Sequence, residues 1–98
     1  MSQFAATVAD DNSPATSCFY VHARAEAGVM PRVLELFAKR GLVPTAWRSA
    51  TSGPDHSLLT IDVRMCGLGG DVVDYIASCL RQIVYVEAVL TSQISAIG

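Results

Sequence analysis

Glu26-Ala27-Gly28-Val29-Met30-Pro31-Arg32-Val33-Leu34-Glu35-Leu36-Phe37-Ala38-Lys39-Arg40-Gly41 reads as a tight loop, an amphipathic helix and a stop, and the rest of the chain folds onto it. Val29, Val33, Leu36 and Phe37 recur at i, i+4, i+7 and i+8, one stripe of a 3.6-residue period, while Arg32, Glu35 and Lys39 fall outside that stripe. One helical face is therefore core. Glu35 precedes Lys39 by one helical turn, the favourable order for an ion pair, and Gly41 supplies a left-handed C-terminal stop. Gly28 is expected to let the backbone turn sharply into the first helical turn, where free N–H groups can meet a small anion.

Outward from this helix the period changes. On its N-terminal side, residues 17–25 alternate, with Phe19, Val21 and Ala23 on one side and Cys18, Tyr20, His22 and Arg24 on the other, the pattern of a half-buried strand. On its C-terminal side, residues 42–50, with Val43, Thr45 and Trp47, read as a second strand. Pro44 cannot donate to a ladder, which makes that strand an edge. Ser52-Gly53-Pro54-Asp55 is turn chemistry, and Leu59, Ile61, Val63 and Met65 then alternate with Thr60, Asp62 and Arg64, so the second and third strands form a hairpin. Residues 67–70 break the pattern. Asp71 is expected to cap a second helix carrying Val72, Val73, Ile76, Leu80 and Ile83 on one face. A fourth strand is expected to direct Val84, Val86, Ala88 and Leu90 inward and Tyr85, Glu87, Val89 and Thr91 outward. Residues 1–16 show no period and read as a mobile lead-in, residues 17–92 as the domain and residues 93–98 as a short tail.

The order β-α-β-β-α-β predicts an α+β, ferredoxin-like fold: a four-stranded antiparallel sheet with both helices on one face and strands one and three central. The uncovered face would carry Tyr20, His22, Arg24, Thr60, Asp62, Arg64, Tyr85, Glu87 and Val89, a surface for solvent or a partner. His22 and Asp62 read there as a cross-strand polar pair, since the pattern places no nucleophile beside them.

Composition narrows the function. The 98 residues are 51% hydrophobic and only 16% charged, which favours a surface shared with another chain. A net charge of −2 offers no attraction for nucleic acid or anionic membrane. Cys18, Cys66 and Cys79 have neither disulfide-framework nor metal-site spacing and read as reduced, mostly buried thiols; no metal or cofactor is expected. The N-terminus lacks a basic start and an apolar core segment, from which a cytoplasmic location is expected.

Topology alone does not assign function, but the loop-and-helix residues do more. Glu26-Ala27-Gly28-Val29-Met30-Pro31-Arg32-Val33, continuing through Leu36-Phe37 to Arg40-Gly41, resembles the signature of ACT domains, the amino-acid-sensing modules. Within that family it looks most like the small regulatory subunit of acetolactate synthase, in its short single-domain form. The resemblance implies a non-catalytic module that forms a homodimer and docks on a thiamine-diphosphate-dependent catalytic large subunit. It also implies an effector site for a branched-chain amino acid (valine, leucine or isoleucine) at Ala25, Glu26, Ala27, Gly28, Val29 and Met30. Ala25 stands where amino-acid-sensing versions usually carry Asn or Asp, which suits an activating subunit insensitive to valine.

Three alternatives are weaker. A free-standing ACT sensor of another small molecule would share every feature of the loop. An acylphosphatase-like hydrolase would need a phosphate loop, but Glu26 before Gly28 repels phosphate, and no Asn follows on the second strand to position water. An RNA-binding sheet would need aromatics on strands one and three within a basic surround, and strand three offers Thr60, Asp62 and Arg64 instead.

Overall fold

The computed structural model describes residues 15–94. Four strands and two helices follow in the order β1 (Thr16–Arg24), α1 (Val29–Ala38), β2 (Ala46–Ser52), β3 (Leu58–Cys66), α2 (Gly70–Arg81) and β4 (Val86–Ile94). The sheet order is β2-β3-β1-β4 and every pairing is antiparallel, so β1 and β3 are central and the fold is ferredoxin-like. Of the lead-in and tail, residues 1–14 and 95–98 lie outside the described residues; Thr16 belongs to β1, and Gln93 and Ile94 belong to β4.

The two periods meet in one core. Phe19, Val21 and Ala23 of β1 and Leu59, Ile61, Val63 and Met65 of β3 pack against Val29, Val33 and Phe37 of α1 and Val73, Ile76, Ala77 and Leu80 of α2. The Phe19 and Phe37 rings meet edge to face at 5.6 Å, which fixes α1 on the sheet. At the end of α1, Gly41 adopts φ +70°, and the Leu42 amide reaches back to the Phe37 carbonyl at 3.0 Å, satisfying an end carbonyl as a left-handed stop should. The Glu35–Lys39 pair forms at 3.6 Å on the exposed side of the helix.

Five local expectations are corrected. Gly28 has φ −80° and ψ −7°, ordinary helical values, with open space where a Cβ would stand, so no sharp turn requires glycine there. Residues 42–44 form a connector with Val43 80% exposed, and β2 begins only after Thr45 has bonded the Arg64 carbonyl at 2.8 Å; Pro44 thus precedes the strand. Asp71 lies inside the first turn of α2, whose cap is Gly69, and Val72 is exposed. Of the three thiols only Cys18 is buried; Cys66 is exposed and Cys79 half-buried. His22 lies opposite Thr60, and Asp62 lies opposite Tyr20, so those two polar groups are not a register pair.

The β4 correction has the widest effect. Pairing runs Val21↔Val89 and His22↔Ala88, then jumps to Ala23↔Val86, leaving Glu87 as an extra residue. Such a bulge shifts the alternation by one and exchanges the faces of everything beyond it. Val89 is therefore core and Leu90 is 59% exposed, the reverse of the alternating expectation. Tyr85, at φ 76°, lies in the turn before the strand.

Candidate effector site at the start of the first helix

β1 delivers the chain to the loop before α1, and the loop is tied down at both ends. The Ala25 amide donates to the Ser57 carbonyl at 2.9 Å, anchoring the loop to the β2–β3 turn. The Glu26 amide donates to the Arg24 carbonyl at 2.8 Å, and the Val29 amide donates to the Glu26 carbonyl at 3.1 Å. The amides of Ala27, Gly28 and Met30 have no backbone acceptor among the described residues, and no side chain caps the helix. These N–H groups sit at the positive end of the α1 dipole.

Beside them lies a cavity of about 300 Å³, lined by Ala25, Glu26, Ala27, Met30, Thr51 and Leu59. That volume is at the lower end of small-molecule sites. Four of the six residues singled out in the sequence thus share one wall. Gly28 and Val29 do not line it: Gly28 is exposed at the cap, and Val29 is buried in the core. The other wall comes from Thr51 on β2 and Leu59 on β3, which are register partners on the helix side of the sheet. Sequence reading missed Thr51 because the second strand was expected to end at Ala50. The Thr51 hydroxyl lies 3.3 Å from His56 Nδ1, which orients it at the mouth.

The arrangement is complementary to a zwitterion with an apolar substituent. Uncapped amides suit a carboxylate, the Glu26 side chain suits an ammonium group, and Met30 and Leu59 offer apolar contact.

Elsewhere, Arg40 donates to the Leu36 carbonyl at 2.9 Å and to the Tyr75 hydroxyl at 3.3 Å, its guanidinium 5.2 Å from the Tyr75 ring centroid. It clamps the two helices together. The Arg32 side chain makes no hydrogen bond or ion pair with another described residue, and Arg32 lines the groove between α1 and Ile83. Trp47 is half-buried against the core. Among the described residues no group of three His, Cys, Asp or Glu could hold a metal, and no helix is long and apolar enough to cross a membrane.

Solved structures share this fold. The C-terminal domain of the MgtC protein from Mycobacterium tuberculosis is similar at TM-score 0.68 and 14% identity, covering 92% of this chain and 98% of that one. The ACT domain from GTP pyrophosphokinase of Chlorobium tepidum is similar at TM-score 0.67 and 11% identity, covering 82% and 100%. A homoserine dehydrogenase from Thiobacillus denitrificans matches 95% of this chain with only 20% of its own length, at TM-score 0.65 and 12% identity. At these identities the likeness establishes the fold. No curated protein sequence gives a significant match. A family profile described as an ACT-like domain matches residues 10–97. Spanned by that profile over most of its length, the chain belongs to the ACT-like domain family, whose ACT domains are regulatory modules.

Proposed function

We propose that this protein is the regulatory or activating small subunit of an acetolactate synthase, working as a homodimer that docks on the catalytic large subunit and takes up a branched-chain amino acid. The observation that carries the reading is the mostly apolar cavity bordered by Glu26, Met30 and Leu59 beside the uncapped start of α1. The choice of enzyme rests on the resemblance of residues 26–41 to that subunit. Dimer formation is supported by β2, an unpaired edge of seven residues in which Arg48 is the single charge, because long uncharged edges invite a second strand. Pairing along that edge brings a neighbour to Thr51 and so to the mouth of the cavity. A ligand held between two chains favours one packing over another, which is sufficient for control of a partner.

The experiment is calorimetry with L-valine, L-leucine and L-isoleucine, together with co-purification against a thiamine-diphosphate-dependent catalytic chain. Saturable binding that Glu26→Ala weakens, with stable association of the two chains, supports the full reading. Amino-acid binding without association points to the free-standing sensor, and association without binding points to an activator insensitive to branched-chain effectors, as Ala25 would suit. Neither binding nor association overturns the proposal.

A further inference from the structure

The sheet ends in two unpaired edges, β2 and β4, and by length and charge β4 is the more inviting to a second strand. It has nine residues against seven, Glu87 is its only charge, and Leu90 and Ile94 stand exposed along it. Folded proteins seldom leave such a strand unguarded.

Which backbone groups face that edge follows from the ladder. The Arg24 amide donates to the Tyr85 carbonyl on the β4 side, and the next amide, that of Ala25, donates to the Ser57 carbonyl on the β3 side. Backbone groups of successive residues point to opposite sides of a strand, so the even-numbered residues of β1 bond to β4. Their partners Ala88, Leu90 and Ser92 are thereby occupied, and Val89, Thr91 and Gln93 turn their N–H and C=O groups outward. The same alternation on the far side of the sheet leaves Trp47, Ser49 and Thr51 of β2 facing outward.

The two edges are finished differently. Arg81, in the last turn of α2, donates a guanidinium N–H to the Val89 carbonyl at 2.9 Å and so fills the acceptor that an added strand would use. Asp74, about two helical turns earlier on the same side of α2, borders Thr91 and Gln93, and the extra residue at Glu87 interrupts the ladder near the start of the strand. Among the described residues no side chain bonds the outward groups of β2. We propose that Arg81 closes the β4 edge to strand addition, so that copies of this chain pair through β2 alone and assembly stops at two. The β2 half of this inference rests on the dimer proposed above; the guarding of β4 does not. Were both edges free, two-fold pairing at each would join sheet to sheet without an end.

Sedimentation velocity and light scattering of Arg81→Ala test this. The variant is expected to form assemblies with a mass at least ~2-fold above the parent's, growing with protein concentration, as a second pairing edge requires. Arg81→Lys, which keeps a charged donor on a long side chain, is expected to keep the parent's size. Adding Thr91→Pro to Arg81→Ala removes an outward N–H that the sheet does not use, and is expected to restore the parent's mass. Circular dichroism verifies that each variant is folded. An Arg81→Ala protein of unchanged size, with only a lowered melting temperature, makes Arg81 a tie between α2 and β4 and overturns the proposal. Enlargement that Thr91→Pro leaves in place also overturns it, because the new contact then lies elsewhere. A monomeric parent removes the β2 dimer but not the guard, and Arg81→Ala is then expected to stop at a dimer through β4.

Discussion

The two faces of the sheet obey different rules although the same strands make both. On the helix side, Phe19, Val21, Ile61 and Val63 are wholly buried, and the side chains opposite them on α1 and α2 are apolar. On the other side Tyr20, Thr60, Asp62 and Arg64 are half-buried, His22 and Arg24 are exposed, and Leu90 and Ile94 stand out on β4. The covered face is held by transfer of apolar area from water, about 25 cal/mol for each Å² buried, with Ser17 its one fully buried polar side chain among the described residues. The open face contributes less to stability and keeps the charged groups. The difference separates what holds this domain together from what it can recognise.

The largest effect tests where that division runs through β4. Val89→Asp places a carboxylate in the core without a partner and is expected to cost about 5 kcal/mol or more, enough to unfold most of a domain this small. Leu90→Asp, one residue on but across the sheet, is expected to stay within about 1 kcal/mol of the parent in urea denaturation. Equal losses would mean that the open face is covered as well.

This pair also marks the limit of what was legible in the sequence. The strand-helix-strand order, the hairpin, the inward sets of β1, α1 and β3, and the Gly41 stop could all be read, because each depends on a local period or one local backbone choice. The face assignment of β4 could not: Val84, Val86, Ala88 and Leu90 alternate without interruption, and only pairing with β1 shows that Glu87 is an extra residue. The candidate site divides in the same way. Ala25, Glu26, Ala27 and Met30 lie within six residues of one another and were singled out through the resemblance that this loop carries. Thr51 and Leu59 reach it through hairpin register. Pairings distant in sequence are fixed by tertiary structure, which a one-dimensional pattern does not contain.

A second comparison removes one aromatic ring from each face. Phe37→Ala deletes a fully buried ring and its edge-to-face contact with Phe19, and is expected to cost about 3–5 kcal/mol. Tyr20→Ala, on the open face, is expected to cost less than half of that, since its ring keeps part of its exposure. Chemical denaturation at constant m-value measures both. A larger loss for Tyr20 would indicate that a second copy or another segment buries the open face in solution.

The smallest effects concern the two ends of α1, the helix whose start borders the loop cavity. At Gly41, φ +70° lies in the left-handed region, so Gly41→Ala is expected to cost about 1 kcal/mol even though a methyl group meets no neighbour there. At Gly28 the backbone is already right-handed and the space is open, so Gly28→Ala is expected to stabilise by about 0.4–1 kcal/mol, through a less flexible unfolded chain. Thermal melts of the two variants should therefore move in opposite directions. Gly28 supplies one of the uncapped amides but does not line the cavity, so its backbone N–H survives the change while its outer surface gains a methyl group. If the effector is held wholly inside the cavity of one chain, Gly28→Ala should leave L-valine binding intact. If a neighbouring chain closes over the cap, the methyl group obstructs that approach, and binding should weaken while the melting temperature rises. Stability and affinity moving in opposite directions at one residue would show that this glycine serves contact between chains and not the bend of its own backbone.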